Sequence, residues 1–296
     1  MPCPHAAKPR AVRCAVLALL IVAATAQMAA PASAASSLSY VALGDSYTAG
    51  PLVLPHDPND FGCYRSQLNY PHLLQSRYQF AGFKDVSCSG AKTDDMFAPQ
   101  SITGGSNPPQ LDALEPTTQL VTLQVGGNDI GFSEIALSCP ALLPVGTPCV
   151  DRYAPPGGVD EISRRINETR PKLDAVLAAI KLRSPSARIF VIGYPSLFPE
   201  NGLGCWPVMP YAPGDVPYLI AKEKELNATV AERAAANGAT FVDTFTPSLG
   251  HDACTLPGIR WIEPVVVPLF GFFVHPNAMG MSGMESAIAG AVGPSV

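Results

Sequence analysis

Ser46 lies in the run Gly44-Asp45-Ser46-Tyr47-Thr48-Ala49-Gly50, directly after an apolar stretch from Leu38 to Leu43. An apolar run that stops at a glycine and then presents a serine puts that hydroxyl where a strand hands over to a helix. Backbone N–H groups at such a turn point outward, so the serine can attack while its own amide helps hold the resulting oxyanion. The same residues also suit a plain helix N-cap, since Asp and Ser both favour that position. The rest of the chain has to choose between the two.

Three further blocks follow in order: Cys88-Ser89-Gly90-Ala91, then Val125-Gly126-Gly127-Asn128-Asp129, then Val274-His275-Pro276-Asn277. Each is weak alone; four in this order form a specific set. The set resembles the SGNH, or GDSL, hydrolase family of esterases and lipases, most closely its secreted actinobacterial branch, over nearly all of the chain after its N-terminal leader. That resemblance implies Ser46 as nucleophile and His275 as base. It implies an oxyanion hole made of the Ser46 N–H, the Gly90 N–H and the Asn128 side-chain amide. A side chain at Gly90 would obstruct a substrate oxygen, and Asn128 offers a neutral donor that does not compete for the proton.

One family element is missing. Many members place an Asp three residues before the catalytic His, and here that position is Phe272. A backbone carbonyl can orient the ring instead by accepting Nδ1–H, leaving Nε2 to face the serine. The resemblance implies the Phe272 carbonyl for this role, with a distant carboxylate, Asp243 or Asp252, as the alternative. His251, close to Cys254, is the main rival to His275 and reads as structural. The segment Val265 to Val274 is unusually apolar. It either lines an acyl groove or touches a lipid surface, or it packs into the core.

Basic residues Lys8, Arg10 and Arg13, an apolar stretch from Ala15 to Ala26 and the run Pro31-Ala32-Ser33-Ala34 have the form of a secretory signal peptide. Cleavage is expected after Ala34, leaving residues 35–296 as one hydrolase domain, exported, monomeric and without a membrane anchor. Six cysteines then remain: Cys63, Cys88, Cys139, Cys149, Cys205 and Cys254. An even count in an exported chain reads as disulfides, and no Cys-x-x-Cys spacing supports a metal. The resemblance implies sequential pairing, Cys63–Cys88, Cys139–Cys149 and Cys205–Cys254. The net charge is −5 and part of the basic complement lies in the leader, so no cationic cluster is left to track nucleic acid.

These residues need a rigid frame. Strand-like runs lie at Ser39–Leu43, Leu120–Val125, Arg188–Gly193 and Thr240–Asp243, with helical patterns at Val159–Arg183 and Val216–Asn237. Strands alternating with helices imply a parallel sheet covered on both faces. Ser46 and Asn128 would then sit past the C-terminal ends of strands, where active sites of open parallel sheets lie. The fold expected is α/β, three-layered and flavodoxin-like, with a central parallel sheet, which is also the SGNH fold. Two Asn-x-Thr triplets, at Asn167 and Asn227, fall in predicted helices and read as chance. The function implied is an exported serine esterase or lipase without cofactor or metal, acting on acyl lipid esters with transient lipid-surface contact. Acyltransferase or carbohydrate acetylesterase activity on the same site, or an inactive binding protein of this fold, are the alternatives.

Overall fold

The computed structural model describes residues 36–58 and 62–294. The predicted leader therefore lies outside the described residues. Five strands, β1 (Ser39–Gly44), β2 (Gly82–Asp85), β5 (Leu120–Gln124), β6 (Arg188–Ile192) and β7 (Thr240–Val242), form one sheet in the order β2-β1-β5-β6-β7. Every neighbouring pair runs parallel. Strands β3 (Gln100–Ile102) and β4 (Gly105–Asn107) make a separate antiparallel hairpin.

The period-two alternation of side chains explains the two covered faces. Val41, Leu43, Val121, Leu123, Ile189 and Val191 turn to one side and pack on α5 (Glu161–Arg183) and α6 (Val216–Ala236). Tyr40, Ala42, Leu120, Phe190 and Ile192 turn to the other and pack on α2 (Tyr70–Tyr78) and α7 (Ala278–Val292). On α5, the stripe Ile162, Ile166, Leu173, Val176, Leu177 and Ile180 read from the sequence is buried throughout. Short helices α1 (Ser46–Ala49), α3 (Phe132–Ser138) and α4 (Pro148–Tyr153) fill the strand-to-helix loops. The result is the three-layer α/β arrangement.

Strand order reverses between β1 and β5, since the chain leaves β1 for one edge and later returns to its other side. At such a switch point the loops after the two strands diverge and open a crevice at their C-terminal ends. The loop after β1 carries Ser46 and the loop after β5 carries Asn128.

The last residue of β1 fixes that exit. A Cβ on Gly44 would lie 2.1 Å from Thr48 Oγ1 and 2.9 Å from the Gln124 carbonyl oxygen, so α1 folds back on the strand at a distance only glycine allows. Gly44→Ala is expected to destabilise the protein by about 1–3 kcal/mol through overpacking. The melting midpoint should fall by roughly 2–4 °C for each kcal/mol in a protein of this size, read by thermal unfolding. An unchanged midpoint would mean that α1 is not packed as described.

Candidate active site

The turn after β1 is built by Asp45. Its Oδ1 accepts the Tyr47 N–H at 2.9 Å, and its carbonyl accepts the Ala49 N–H at 2.9 Å, closing the single turn of α1. Its own N–H donates to the Gln124 carbonyl at 2.9 Å, joining this turn to β5. Gly50 ends the turn in the left-handed region at φ +74°, which glycine adopts without penalty. Asp45 is thus the helix cap, and Ser46 is the first helical residue, presented by it.

Ser46 Oγ lies 2.8 Å from His275 Nε2 across a sequence separation of 229 residues. His275 Nδ1 lies 2.8 Å from the Phe273 carbonyl oxygen. A carbonyl only accepts, so Nδ1 carries the proton and Nε2 is left free to take one from the serine. The loop that carries the histidine is tied down at each step. Val274 donates its N–H to the Glu263 carbonyl at 2.8 Å, and its own carbonyl accepts the Tyr47 hydroxyl at 2.7 Å. Glu263 in turn donates its N–H to the His275 carbonyl at 2.9 Å. Asn277 caps α7 by accepting the Met279 and Gly280 N–H groups, each at 3.0 Å.

Beneath this loop lies a buried ionic cluster. Glu263 is bound by Arg260 at 2.8 Å, by the Asn277 amide at 2.8 Å and by the Leu269 N–H at 2.7 Å. Burial works to raise the Glu263 carboxyl, but these bonds outweigh it and hold its pKa below the usual carboxylate value. The charge is thus fully partnered, as a buried charge must be.

Ser46 and Asn128 both line the cavity beside the serine hydroxyl. Among the described residues no hydrogen bond engages the N–H of Ser46 or of Gly90. Gly90 adopts φ +83°, in the left-handed region that glycine takes without penalty, which accounts for glycine there. Asn128 spends one amide hydrogen on the Ala91 carbonyl at 3.0 Å and keeps the other. The blocks are also linked to each other. Asp129 accepts the Thr93 N–H at 3.0 Å, and the Tyr194 hydroxyl donates to Asp45 Oδ2 at 2.7 Å while accepting the Gly127 N–H at 2.9 Å. Asn227 fixes Tyr194 by bonding both its N–H and its carbonyl, at 2.7 and 2.9 Å.

An aromatic enclosure sets the electrostatics. Tyr47, Phe132 and Phe272 surround the imidazole with ring centroids at 5.1, 6.0 and 5.3 Å. Burial lowers the His275 pKa to about 4, partly offset by the bond to the Phe273 carbonyl, so the ring is neutral at neutral pH. Burial pushes the Asp45 carboxyl up to about 7, against the bonds from Tyr194 and Tyr47. Ser46 and Asn128 open on a cavity whose walls include Ile135, Ile162, Phe198, Met209 and Leu226. A serine hydrogen-bonded to a neutral imidazole beside an apolar recess has the parts to attack an acyl carbonyl.

Residues 42–282 match the GDSL-like Lipase/Acylhydrolase family. The chain belongs to this family. It is 44% identical over 273 residues to "Lipase 2" of Streptomyces coelicolor, covering 89% of this chain and 88% of that protein. It is 33% identical to a lipase of Streptomyces rimosus, over 90% of each chain. The fold matches the extracellular lipase of Streptomyces rimosus with a TM-score of 0.72 at 32% identity, covering 86% of this chain and 99% of that one. Phospholipase A1 of Streptomyces albidoflavus matches equally, with a TM-score of 0.72 at 28% identity and the same coverage. The protein is a lipase/esterase of the SGNH family, a carboxylic ester hydrolase.

Against the family pattern, one expectation needs correction. The carbonyl at the histidine ring is that of Phe273, not Phe272. The Phe272 carbonyl accepts the His275 N–H at 3.2 Å, closing a turn, so the next carbonyl along is the one that faces Nδ1. The alternative carboxylates are engaged elsewhere. Asp243 accepts the Phe245 and Thr246 N–H groups, and Asp252 accepts that of Cys254. His251 stacks on Trp261 and bonds the Ile259 carbonyl, well occupied as a structural residue. Disulfides join Cys63 to Cys88, Cys139 to Cys149 and Cys205 to Cys254.

The apolar segment before His275 divides. Val274 is buried and lines the cavity, while Val266, Val267, Leu269 and Phe270 are exposed, Val267 at 66% and Phe270 at 56%. Tyr194, Glu263 and Tyr47 are site-building residues that sequence reasoning missed. Tyr47 stood inside the first block and Tyr194 directly after a predicted strand, which was the available signal. Asn227, one of the Asn-x-Thr residues, is buried and used internally, in keeping with a chance triplet.

With His275 held neutral down to about 4, the acid limb of kcat/KM should lie near that value, below the 6.5 of an ordinary histidine. A pH–rate profile on a soluble ester checks this, and a limb at 6.5 would contradict the enclosure. The same depression makes a stability contribution that is fully present above 6.5 and is lost as pH falls toward about 4, because the unfolded chain binds the proton first. Separately, Tyr194→Phe leaves the Gly127 N–H and an Asp45 oxygen unpaired. It should cost about 1–3 kcal/mol of stability in denaturant unfolding.

Proposed function

We propose that the protein is an exported acyl-lipid esterase that works through a Ser46–His275 dyad and an oxyanion hole formed by the Ser46 N–H, the Gly90 N–H and the Asn128 amide. The observation that carries this reading is the 2.8 Å contact between Ser46 Oγ and His275 Nε2, with Nδ1 bonded to a backbone carbonyl and Ser46 lining an apolar cavity. His275 takes the serine proton as Oγ attacks the ester carbonyl, and the negative charge moves to the carbonyl oxygen between the three donors. The intermediate collapses by breaking the ester C–O bond, and His275 returns the proton to the departing alcohol. A water molecule then repeats the sequence on the acyl-serine, releasing the carboxylic acid and restoring both residues.

Two features support a lipid substrate. The cavity beside Ser46 is walled mainly by aliphatic and aromatic side chains, which suits a fatty acyl chain. Exposed Val266, Val267, Leu269 and Phe270 stand in the loop leading to His275, and Phe272 donates its N–H to the Pro51 carbonyl, bringing exposed Leu52 and Leu54 to the same rim. An apolar rim of this kind suits transient contact with a lipid surface. Two relatives are named lipases and a structural neighbour a phospholipase A1, which agrees with this substrate class. Three disulfides and an extracellular lipase as structural neighbour support export, with the leader removed after Ala34.

Hydrolysis of p-nitrophenyl esters of increasing chain length by the oxidised mature protein tests this reading. Long-chain esters should be preferred. Ser46→Ala should lose about 10⁴–10⁶ of kcat, and Asn128→Ala about 10²–10³ through the missing oxyanion donor. A peak at acetate would remove the acyl-lipid reading. A Ser46→Ala variant as active as wild type would remove the dyad.

A further inference from the structure

Glu223, on α6, borders the same cavity as Ser46. Its neighbours along that wall are Ile135, Ile162, Phe198, Met209, Leu219 and Leu226, a lining suited to hydrocarbon. Apart from Ser46 and Asn128 themselves, the other polar side chains of the cavity are already committed. The hydroxyl of Tyr47 donates to the Val274 carbonyl, that of Tyr211 to the Ala136 carbonyl, and that of Tyr194 to Asp45. Lys222 is held by Asp160 and Glu225, each at 2.7 Å. Glu223 differs. One carboxyl oxygen, Oε2, accepts the Leu197 N–H over a long 3.3 Å, while among the described residues Oε1 has no hydrogen-bond partner and no cation pairs with the side chain. Neighbouring Lys224 is directed to Glu200 at 3.3 Å instead. Burial pushes this carboxyl up to about 8, against the Leu197 N–H, so it is mostly the neutral acid at neutral pH and can donate as well as accept.

A saturated hydrocarbon chain filling this cavity would strip water from Oε1 and offer nothing in exchange. A chain bearing a hydroxyl at the matching depth would both satisfy the carboxyl and have its own hydroxyl satisfied. Resting on the esterase reading above, we propose that Glu223 is a specificity-determining residue that selects acyl chains carrying a hydroxyl group, so that hydroxy-acyl esters are better substrates than plain ones of equal length. A site built to bond a substrate hydroxyl discriminates more sharply than a purely apolar wall, which separates chains only by size.

The test uses the mature, oxidised enzyme and chain-matched p-nitrophenyl esters, plain and hydroxylated at successive positions, with butyrate as a short reference. Within each protein the readout is the ratio of kcat/KM for hydroxylated over plain ester, which cancels differences in the fraction folded. Wild type should favour one hydroxyl position by roughly tenfold or more. Glu223→Gln, which keeps a donor and an acceptor, should retain most of that preference, and Glu223→Leu should abolish or invert it. No preference at any position in wild type, or a ratio unmoved by Glu223→Leu, overturns the inference while butyrate hydrolysis leaves the esterase reading standing. Wild type inert toward butyrate and every longer ester would instead overturn the esterase reading, and this inference with it.

Discussion

Ser46 and His275 come from opposite ends of the domain, 229 residues apart, and among the described residues no carboxylate bonds the imidazole. A lone carbonyl must fix both its tautomer and its angle, so that carbonyl cannot be allowed to move. The chain meets this by assigning a partner to the backbone around it. Phe272 is held on both sides, through its N–H to Pro51 and its carbonyl to His275. Val274 is held by Glu263 and by the Tyr47 hydroxyl. What remains is the Phe273 carbonyl, which points at the imidazole. The buried Arg260–Glu263–Asn277 cluster is the foundation for this loop, and it makes sense as such. A buried ion pair contributes little net stability, but removing one partner leaves an uncompensated charge, so the arrangement is strongly all-or-none.

The carbonyl has a chemical consequence as well. A carboxylate would stabilise the imidazolium that forms when the serine loses its proton. A carbonyl carries no full charge, and the aromatic enclosure of Tyr47, Phe132 and Phe272 further favours the neutral ring. In the proposed dyad the base is therefore weak and always ready, never lost to protonation at neutral pH. More of the stabilisation must then come from where the negative charge goes. This is why the links among the donor-bearing loops matter: Tyr194 ties the Ser46 turn to the Gly127–Asn128 turn, and Asp129 ties the latter to the loop after Gly90. In the proposed oxyanion hole, donors held this way are fixed before substrate arrives, which is what electrostatic preorganisation requires.

How legible this was follows from contrast in the sequence. Strands β1 and β5 are buried on both faces and read as apolar runs, and the α5 stripe has clear helical spacing. Edge strand β2, Gly82-Phe83-Lys84-Asp85, has one large apolar residue in four and escaped notice. Helix α7 escaped for the opposite reason. Its small and apolar residues run nearly all round, because Gly280 and Gly283 let it press against Trp261, where a Cβ on Gly283 would lie 2.2 Å from the indole ring. At the site, the residue types were readable because the chemistry demands them. The step from Phe272 to Phe273 was not, since it depends on Val274 taking φ +52°, a conformation that a β-branched residue gives no reason to expect. Tertiary contacts from Tyr47 and Glu263 impose it.

The disulfides complete the argument about loops. The residues of the proposed site sit on long connections past the strand ends, where chain entropy would otherwise blur positions that must hold to a fraction of an ångström. Cys88 lies two residues before Gly90 and is bonded to Cys63, while its N–H donates to the Gly44 carbonyl and the Ser89 N–H to the Cys63 carbonyl. The loop bearing Gly90 is thus fastened to the strand end that presents Ser46. Cys139–Cys149 closes the connection between α3 and α4, whose α3 residues Ile135 and Ala136 line the cavity. Cys205–Cys254 joins the connections that follow β6 and β7. Each bridge restrains a segment with little regular structure of its own, chiefly by limiting the unfolded chain. The sheet can then remain a small five-stranded core while the chemistry is carried almost wholly by the loops at its rim.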